Sequence, residues 1–332
     1  MKLPHPLLNS KFFIFAGASE LLRALAGEVS DKELGLIGVL AEKGLPPITS
    51  RSVLATMLGV SPGLVWSFVE RPRRYYREFS IPKGLQGERK IQAPRIALKI
   101  VQKWLSIHFE RAYIPPSHVY GFVQGRSHIM AAMQHTEAQW VFSVDIRDFF
   151  QTTPCRFVAK KLMELGYEPE GAGLVASLCC YSAFLAQGAP SSPVLSNICF
   201  QALDESLFAL SEKYGVRLTR YADDIVFSGT SSFPVELKEE VLSLFADGPW
   251  ALSDHKIELS IAPIQRLKVH GLLVHGEKAR LTKGYRNRLR GFKHVLATGQ
   301  VREEDVSRLI GHLNYADMVE RVVGSEAGTS PP

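Results

Sequence analysis

The chain has 332 residues, with 39 Lys and Arg against 33 Asp and Glu, a formal net charge of +6 and 46% hydrophobic residues. That length and apolar content support a substantial core and allow one large or two to three small folding units. The positive balance favours anionic partners.

From the start of the chain, Met1 to Ser10 holds two prolines and a histidine rather than a signal-peptide core. No apolar run reaches membrane-spanning length. Cys155, Cys179, Cys180 and Cys199 show no CxxC spacing and read as free thiols in a reducing compartment. The expectation is a soluble cytoplasmic protein with no membrane association.

Leu7 to about Tyr75 reads as a helical N-terminal extension. Within it, Ser52 to Ser61 leads through Gly59 into Leu64-Val65-Trp66-Ser67-Phe68, a pattern that resembles a helix-turn-helix. An extension packing on its neighbours explains the same pattern. A basic stretch follows, with Arg71, Arg73, Arg74, Arg77, Lys83, Arg89, Lys90, Arg95, Lys99 and Lys103 interleaved with Tyr75, Tyr76 and Phe79. Cations and rings together suit the gripping and stacking of single-stranded nucleic acid.

Trp140 to Asp145 is a mostly apolar strand ending on an acid, and an acid there is costly without a partner. The alternative is that Asp145 caps the segment after it. Asp148 reads as a cap or an ion-pair partner. In Gln187-Gly188-Ala189-Pro190-Ser191-Ser192-Pro193, Gly and Pro set a rigid loop, Ser192 can cap, and a helix runs from about Val194 to Leu210.

Tyr221-Ala222-Asp223-Asp224 lies between β-forming runs and reads as a strand-turn-strand tip closed by Gly229. Adjacent carboxylates repel, so a cation must offset them unless they are merely a solvated turn. Divalent ions shared with Asp145 would do so, and Mg²⁺ suits because it takes oxygen ligands and keeps waters and substrate phosphates in its shell.

Beyond the tip, Leu252 to Lys256 is a polar segment and Lys268 to Val274 a probable strand. Arg266 to Lys293 holds nine Lys/Arg against one acid, Glu277. Helices are expected near Lys283–Ala297 and Arg302–Met318, the first carrying Lys283, Arg286, Arg288, Arg290 and Lys293 on a broad face suited to a phosphate backbone. A merely solvated helix would mix in acids as i,i+4 partners, and this one does not. Ser325 to Pro332 reads as a disordered tail.

In order, these pieces resemble the reverse transcriptases, specifically those of bacterial retrons, from about Tyr75 to Met318. The resemblance is carried by Phe79–Gly84 with Glu88–Pro94, Tyr120-Gly121-Phe122-Val123-Gln124-Gly125-Arg126-Ser127, Val144–Phe150, the Gln187–Pro193 loop and Arg220–Asp224. It implies an α+β right-hand polymerase fold: N-terminal extension 1–75, fingers 76–139 and 154–186, palm 140–153 and 187–275, helical thumb 276–324.

It also implies roles. Asp145, Asp223 and Asp224 resemble the catalytic metal-binding triad for two Mg²⁺ ions, with Mn²⁺ as a substitute. One ion lowers the pKa of the primer 3′-hydroxyl and the other holds the triphosphate. Phe150 is similar to the aromatic gate that excludes a ribose 2′-hydroxyl, implying dNTP use; Phe149 is the better core candidate. Lys83 and Arg89 resemble the fingers cations, and Gln187, Gly188 and Tyr221 the nucleotide pocket. Lys256 resembles a catalytic lysine that protonates pyrophosphate or orients the triphosphate, although Ser253 stands where asparagine is usual.

Two departures concern the RNA. Ala131-Ala132-Met133-Gln134-His135 lacks the usual Asn-Ala-x-x-His asparagine, and Val269-His270-Gly271 stands where Val-Thr-Gly is typical. His135 and His270 are either RNA contacts or buried, hydrogen-bonded histidines.

The implied function is RNA-directed DNA synthesis on a dedicated structured non-coding RNA, in an antiphage cassette with an effector protein. The lack of a maturase or endonuclease segment after the thumb weakens a group II intron reading. A polymerase of repetitive or untemplated DNA, a non-catalytic RNA-binding scaffold and a nuclease are the alternatives.

Overall fold

The computed structural model describes residues 3–82 and 87–325. The chain opens with short helices His5–Asn9 (α1), Ala18–Leu25 (α2), Asp31–Glu42 (α3), Arg51–Leu58 (α4) and Pro62–Glu70 (α5). The hydroxyls of Ser30 and Ser50 cap α3 and α4, and Gly59, at φ +64, ends α4. α4 and α5 meet at 116°. That is a helix-turn-helix shape, but α5 itself carries no basic residue for a phosphate backbone. None of the described helices is both long and apolar enough to cross a membrane.

Strands Tyr76–Pro82 (β1) and Glu88–Pro94 (β2) form a two-stranded antiparallel ribbon before helix Ile96–Ala112 (α6). Helix His128–Met133 (α7) and strand Trp140–Asp145 (β3) follow, then helices Cys155–Leu165 (α8) and Pro169–Cys179 (α9). Cys180–Tyr181 (β4) and Phe184–Leu185 (β5) make a small hairpin ahead of the long helix Ser192–Tyr214 (α10). Arg217–Tyr221 (β6), Asp224–Gly229 (β7), helix Val235–Ser243 (α11) and Glu258–Ile261 (β8) come next. Lys268–Val269 (β9), Leu272–Leu273 (β10) and Arg280–Leu281 (β11) lead to helices Lys283–Ala297 (α12) and Glu303–Ser325 (α13).

The chain clusters into two compact units, residues 1–115 with 147–202, and residues 116–146 with 203–332. In the first, β2 and the loop after β5 are joined: the Gln92 amide donates to the Gln187 carbonyl (2.8 Å), and Gly188, at φ +117, lies against Ile91 and Gln92. The second is built on a four-stranded sheet of order β6-β7-β3-β8, antiparallel throughout. Val141 and Val226 of that sheet share one buried cluster with Val269, Leu272, Leu281, Leu289, Ala316 and Val319, so α12 and α13 are anchored to it by apolar burial.

Three expectations need correction. Lys268 to Val274 is not one strand: His270 (φ +49) and Gly271 (φ +83) turn the chain so that β9 and β10 pair back on each other. Ser192 lies inside α10, and its hydroxyl donates to the Ala186 carbonyl instead of capping. α13 continues to Ser325; the rest of the expected tail lies outside the described residues.

Candidate active site

Sheet register builds the site. Asp145, the last residue of β3, faces Asp224, the first of β7, across an antiparallel ladder, so both side chains project from the same face. Tyr221 and Asp224 close the β6–β7 hairpin, leaving Ala222 and Asp223 as its two-residue loop. Ala222 takes the left-handed conformation (φ +59), unusual for a residue with a Cβ. The Ile146 amide donates to the Asp223 carbonyl (2.9 Å), tying the tip to the end of β3. Gly121 backs the tip so closely that a Cβ there would lie 2.0 Å from the Ala222 nitrogen.

The chain after β7 supplies a cation. The Ser253 amide donates to the Asp145 carbonyl (2.8 Å), and a 3₁₀ turn over Asp254–Lys256 carries Lys256 Nζ to 2.6 Å from Asp145 Oδ2. Ser253 Oγ donates to Asp145 Oδ1 at 3.4 Å, so serine does reach the acid from the asparagine position. On the other side, His270 Nδ1 lies 3.1 Å from Asp224 Oδ2, and its ring packs on Tyr221 with centroids 5.3 Å apart. Burial, and next the Asp145 carboxylate, push the Asp223 carboxyl above the ordinary aspartate value.

The site therefore has an excess of negative charge that one lysine offsets in part. Among the described residues, no three or more His, Cys, Asp or Glu side chains are grouped so as to hold a metal ion. An open cluster of hard carboxylate oxygens fits Mg²⁺, which binds through one or two carboxylates and completes its shell with water and phosphates. Asp145, Asp223 and Asp224 are the residues that would hold it.

The remaining candidates fall as follows. Arg89 lies on β2, Gln187 and Gly188 on the loop beside it, and Phe150 is half-buried against Phe149, all in the first unit. Phe149 is buried and packs edge-on to Phe200, as a core ring should. Lys83 lies outside the described residues. Arg71, Arg73, Arg74 and Arg77 are exposed, with Arg71 over the Trp66 ring (4.9 Å) and Arg77 over Phe79 (5.0 Å). Lys283, Arg286, Arg288, Arg290 and Lys293 are all exposed on α12.

The two histidines are corrected as nucleic-acid contacts. His135 is 0% exposed, with Nδ1 and Nε2 each 2.7 Å from a hydroxyl, of Ser228 and Thr219 respectively; no surface remains for RNA. The side chain of His270 is 7% exposed and faces Asp224, so it belongs to the acid cluster. Sequence reading also missed Asp204, which pairs with Arg220 behind the hairpin. Nothing in the spacing of a helix acid and a strand arginine signals that pairing.

A four-stranded antiparallel sheet with one acid ending an inner strand and two at an adjoining hairpin is the arrangement expected of a nucleotidyl-transferring polymerase. The reverse transcriptase (RNA-dependent DNA polymerase) family matches residues 81–286. The chain is 30% identical over 307 residues to the retron Mx65 reverse transcriptase of Myxococcus xanthus, covering 84% of this chain and 70% of that one. It is 32% identical to the Mx162 enzyme of the same organism (75% and 54% covered) and 27% to the Ec86 enzyme of Escherichia coli (72% and 75%). A solved structure of Candida albicans telomerase overlays with a TM-score of 0.41 at 10% identity, covering 79% of this chain and 61% of that one. The chain belongs to the reverse transcriptases, and within them to the retron type. It is an RNA-directed DNA polymerase with a right-hand polymerase fold, in a family that generally uses divalent metal ions.

Proposed function

We propose that the chain copies a structured non-coding RNA, encoded with it, into DNA from dNTPs, using two Mg²⁺ ions held by Asp145, Asp223 and Asp224. The observation that carries this reading is the Asp145–Asp224 register pair with Asp223 at the adjoining tip. When bound, the ions supply an activated primer hydroxyl and charge neutralisation on the triphosphate.

The chain's own groups do the rest. The ladder between β3 and β7 fixes the spacing of the acids, and the backbone bonds at Asp223 and Ser253 hold both carboxylate-bearing segments in place. Lys256 pairs with Asp145 in the resting protein; its ammonium is assigned to the leaving pyrophosphate, which it would protonate or orient. Phe150 is assigned as the ribose gate, Gln187, Gly188 and Tyr221 as nucleotide contacts, and Arg89 with Lys83 as triphosphate cations. Arg71, Arg73, Arg74, Arg77 and the α12 cations are assigned to the RNA and its DNA product.

The proposed setting is the cytoplasm, in an antiphage cassette with an effector protein. The test is extension on the co-purifying RNA with dNTPs and Mg²⁺, followed by sequencing of the product. One defined DNA copied from one RNA supports the proposal; repetitive or untemplated DNA, or no DNA, overturns it. A plaque assay with and without Asp223→Ala/Asp224→Ala tests the defence role.

A further inference from the structure

Arg220 immediately precedes the catalytic tip, and its side chain is fully buried. Nε donates to Asp204 Oδ1 and Nη2 to Asp204 Oδ2, both at 2.6 Å, while Nη1 donates to the Ala222 carbonyl at 3.0 Å. Asp204, on α10, is equally buried; His118 Nε2 lies 3.6 Å from its Oδ1, and the His118 ring stacks on Phe208. The Arg220 main chain is held too, its amide donating to the His118 carbonyl and its carbonyl accepting from the Tyr120 amide, both at 2.8 Å.

Stability alone is a weak reason for this arrangement. Desolvating a buried ion pair costs about what the pairing returns, and well-packed apolar residues often serve folding as well or better. What an apolar pair lacks is a donor for the Ala222 carbonyl. That carbonyl belongs to the residue held at positive φ, a conformation that is strained for a residue with a Cβ. It also begins the peptide that leads into Asp223.

We propose that Arg220 is a positioning residue for polymerisation: anchored by Asp204, its guanidinium fixes the plane of the Ala222–Asp223 peptide and so the direction of the Asp223 and Asp224 carboxylates. The hairpin tip is then gripped at successive carbonyls, by the guanidinium at Ala222 and by the Ile146 amide at Asp223. Arginine suits this because its planar fork binds one carboxylate in two places and still has a donor to spare. Rotation of the Ala222–Asp223 peptide would swing the acids without unfolding the sheet. Misplacement by about 1 Å at a reacting centre costs ~100-fold in rate.

The inference rests on the polymerase reading, and wild-type extension of an RNA-templated primer is the control that separates the two. The test replaces the ion pair in the full chain by Arg220→Met with Asp204→Leu, and separately makes Arg220→Lys. Melting temperature, kcat and dNTP KM are measured for each. The expected result for the apolar pair is wild-type folding with kcat lowered roughly 10–100-fold and KM within about twofold. Lysine keeps the charge opposite Asp204 but cannot span to Ala222 as well, so the same loss is expected; it decides the matter if the apolar pair does not fold. Folded variants with wild-type kcat, or with KM alone changed, would overturn the proposal. Failure of the wild type to extend would overturn the polymerase reading instead.

Discussion

Lys256 Nζ lies 2.6 Å from Oδ2 of Asp145, the acid that ends β3, an inner strand of the four-stranded sheet. If Asp145 holds a metal as proposed, the lysine and the ion compete for one carboxylate. Lys256→Gln should bind Mg²⁺ or Mn²⁺ more tightly in calorimetric titration of the nucleotide-free protein. Its kcat should nevertheless fall by about 10² or more if the ammonium protonates the leaving pyrophosphate. Unchanged metal affinity would show that the ion pair does not guard the metal position.

The backing of the tip by Gly121 gives a second expectation. A methyl group placed 2.0 Å from the Ala222 nitrogen must push the hairpin or its own segment aside, because the obstacle is backbone. Overpacking of this kind costs about 1–3 kcal/mol. Gly121→Ala should lower the melting temperature and reduce kcat by more than the loss of folded protein explains. Crystallography of the variant would locate the displaced turn.

His135 links stability to pH. Burial pushes its pKa down to about 3, with smaller contributions from His270 and Arg217, against an unfolded value near 6.5. The folded protein keeps the ring neutral while the unfolded chain takes up a proton, so this contribution is full above about pH 6.5 and is lost as pH falls towards 3. Burial likewise lowers His108, to about 4, so it acts in the same direction. His135→Gln should have a shallower loss of stability between pH 6.5 and 4 than wild type, measured by denaturant unfolding. An unchanged slope would mean that the unfolded state does not gain the proton assigned to it.

The exposed cations of α12 should report themselves in salt dependence. Each phosphate contact removed lowers the slope of log K against log salt by about one. A Lys283→Ala, Arg286→Ala, Arg290→Ala variant should bind the RNA more weakly, with a slope reduced by ~2–3, while retaining its fold. A weaker affinity with no slope change would place the RNA elsewhere.

Much of the active site was legible because it obeys local rules. A strand that ends on Asp145 and a hairpin that carries Asp223 and Asp224 are written in mostly apolar, β-forming runs, with a turn within the hairpin. α12 begins and ends at the residues expected from periodicity, with the Thr282 hydroxyl as its cap. The misreadings come from contacts between residues distant in sequence and from local backbone turns that composition does not signal. His135 reads equally as an RNA contact or as a buried, hydrogen-bonded histidine until Ser228 and Thr219, distant in sequence, close over it. Lys268 to Val274 reads as one strand because nothing in its composition announces that His270 will adopt positive φ. The Arg220–Asp204 pair joins a strand to a helix, and no spacing rule connects them. Ser253, although not the expected asparagine, reaches Asp145 because its backbone already bonds to that residue.

The most direct test of the central claim is single-nucleotide extension of a primed RNA template, measured as a function of Mg²⁺ concentration. Wild type would be compared with Asp145→Asn, Asp223→Asn and Asp224→Asn. The account predicts metal-dependent DNA extension by wild type and loss of extension in all three variants, with folding and RNA binding preserved. Extension that survives in Asp145→Asn, or that proceeds without any divalent ion, would contradict it.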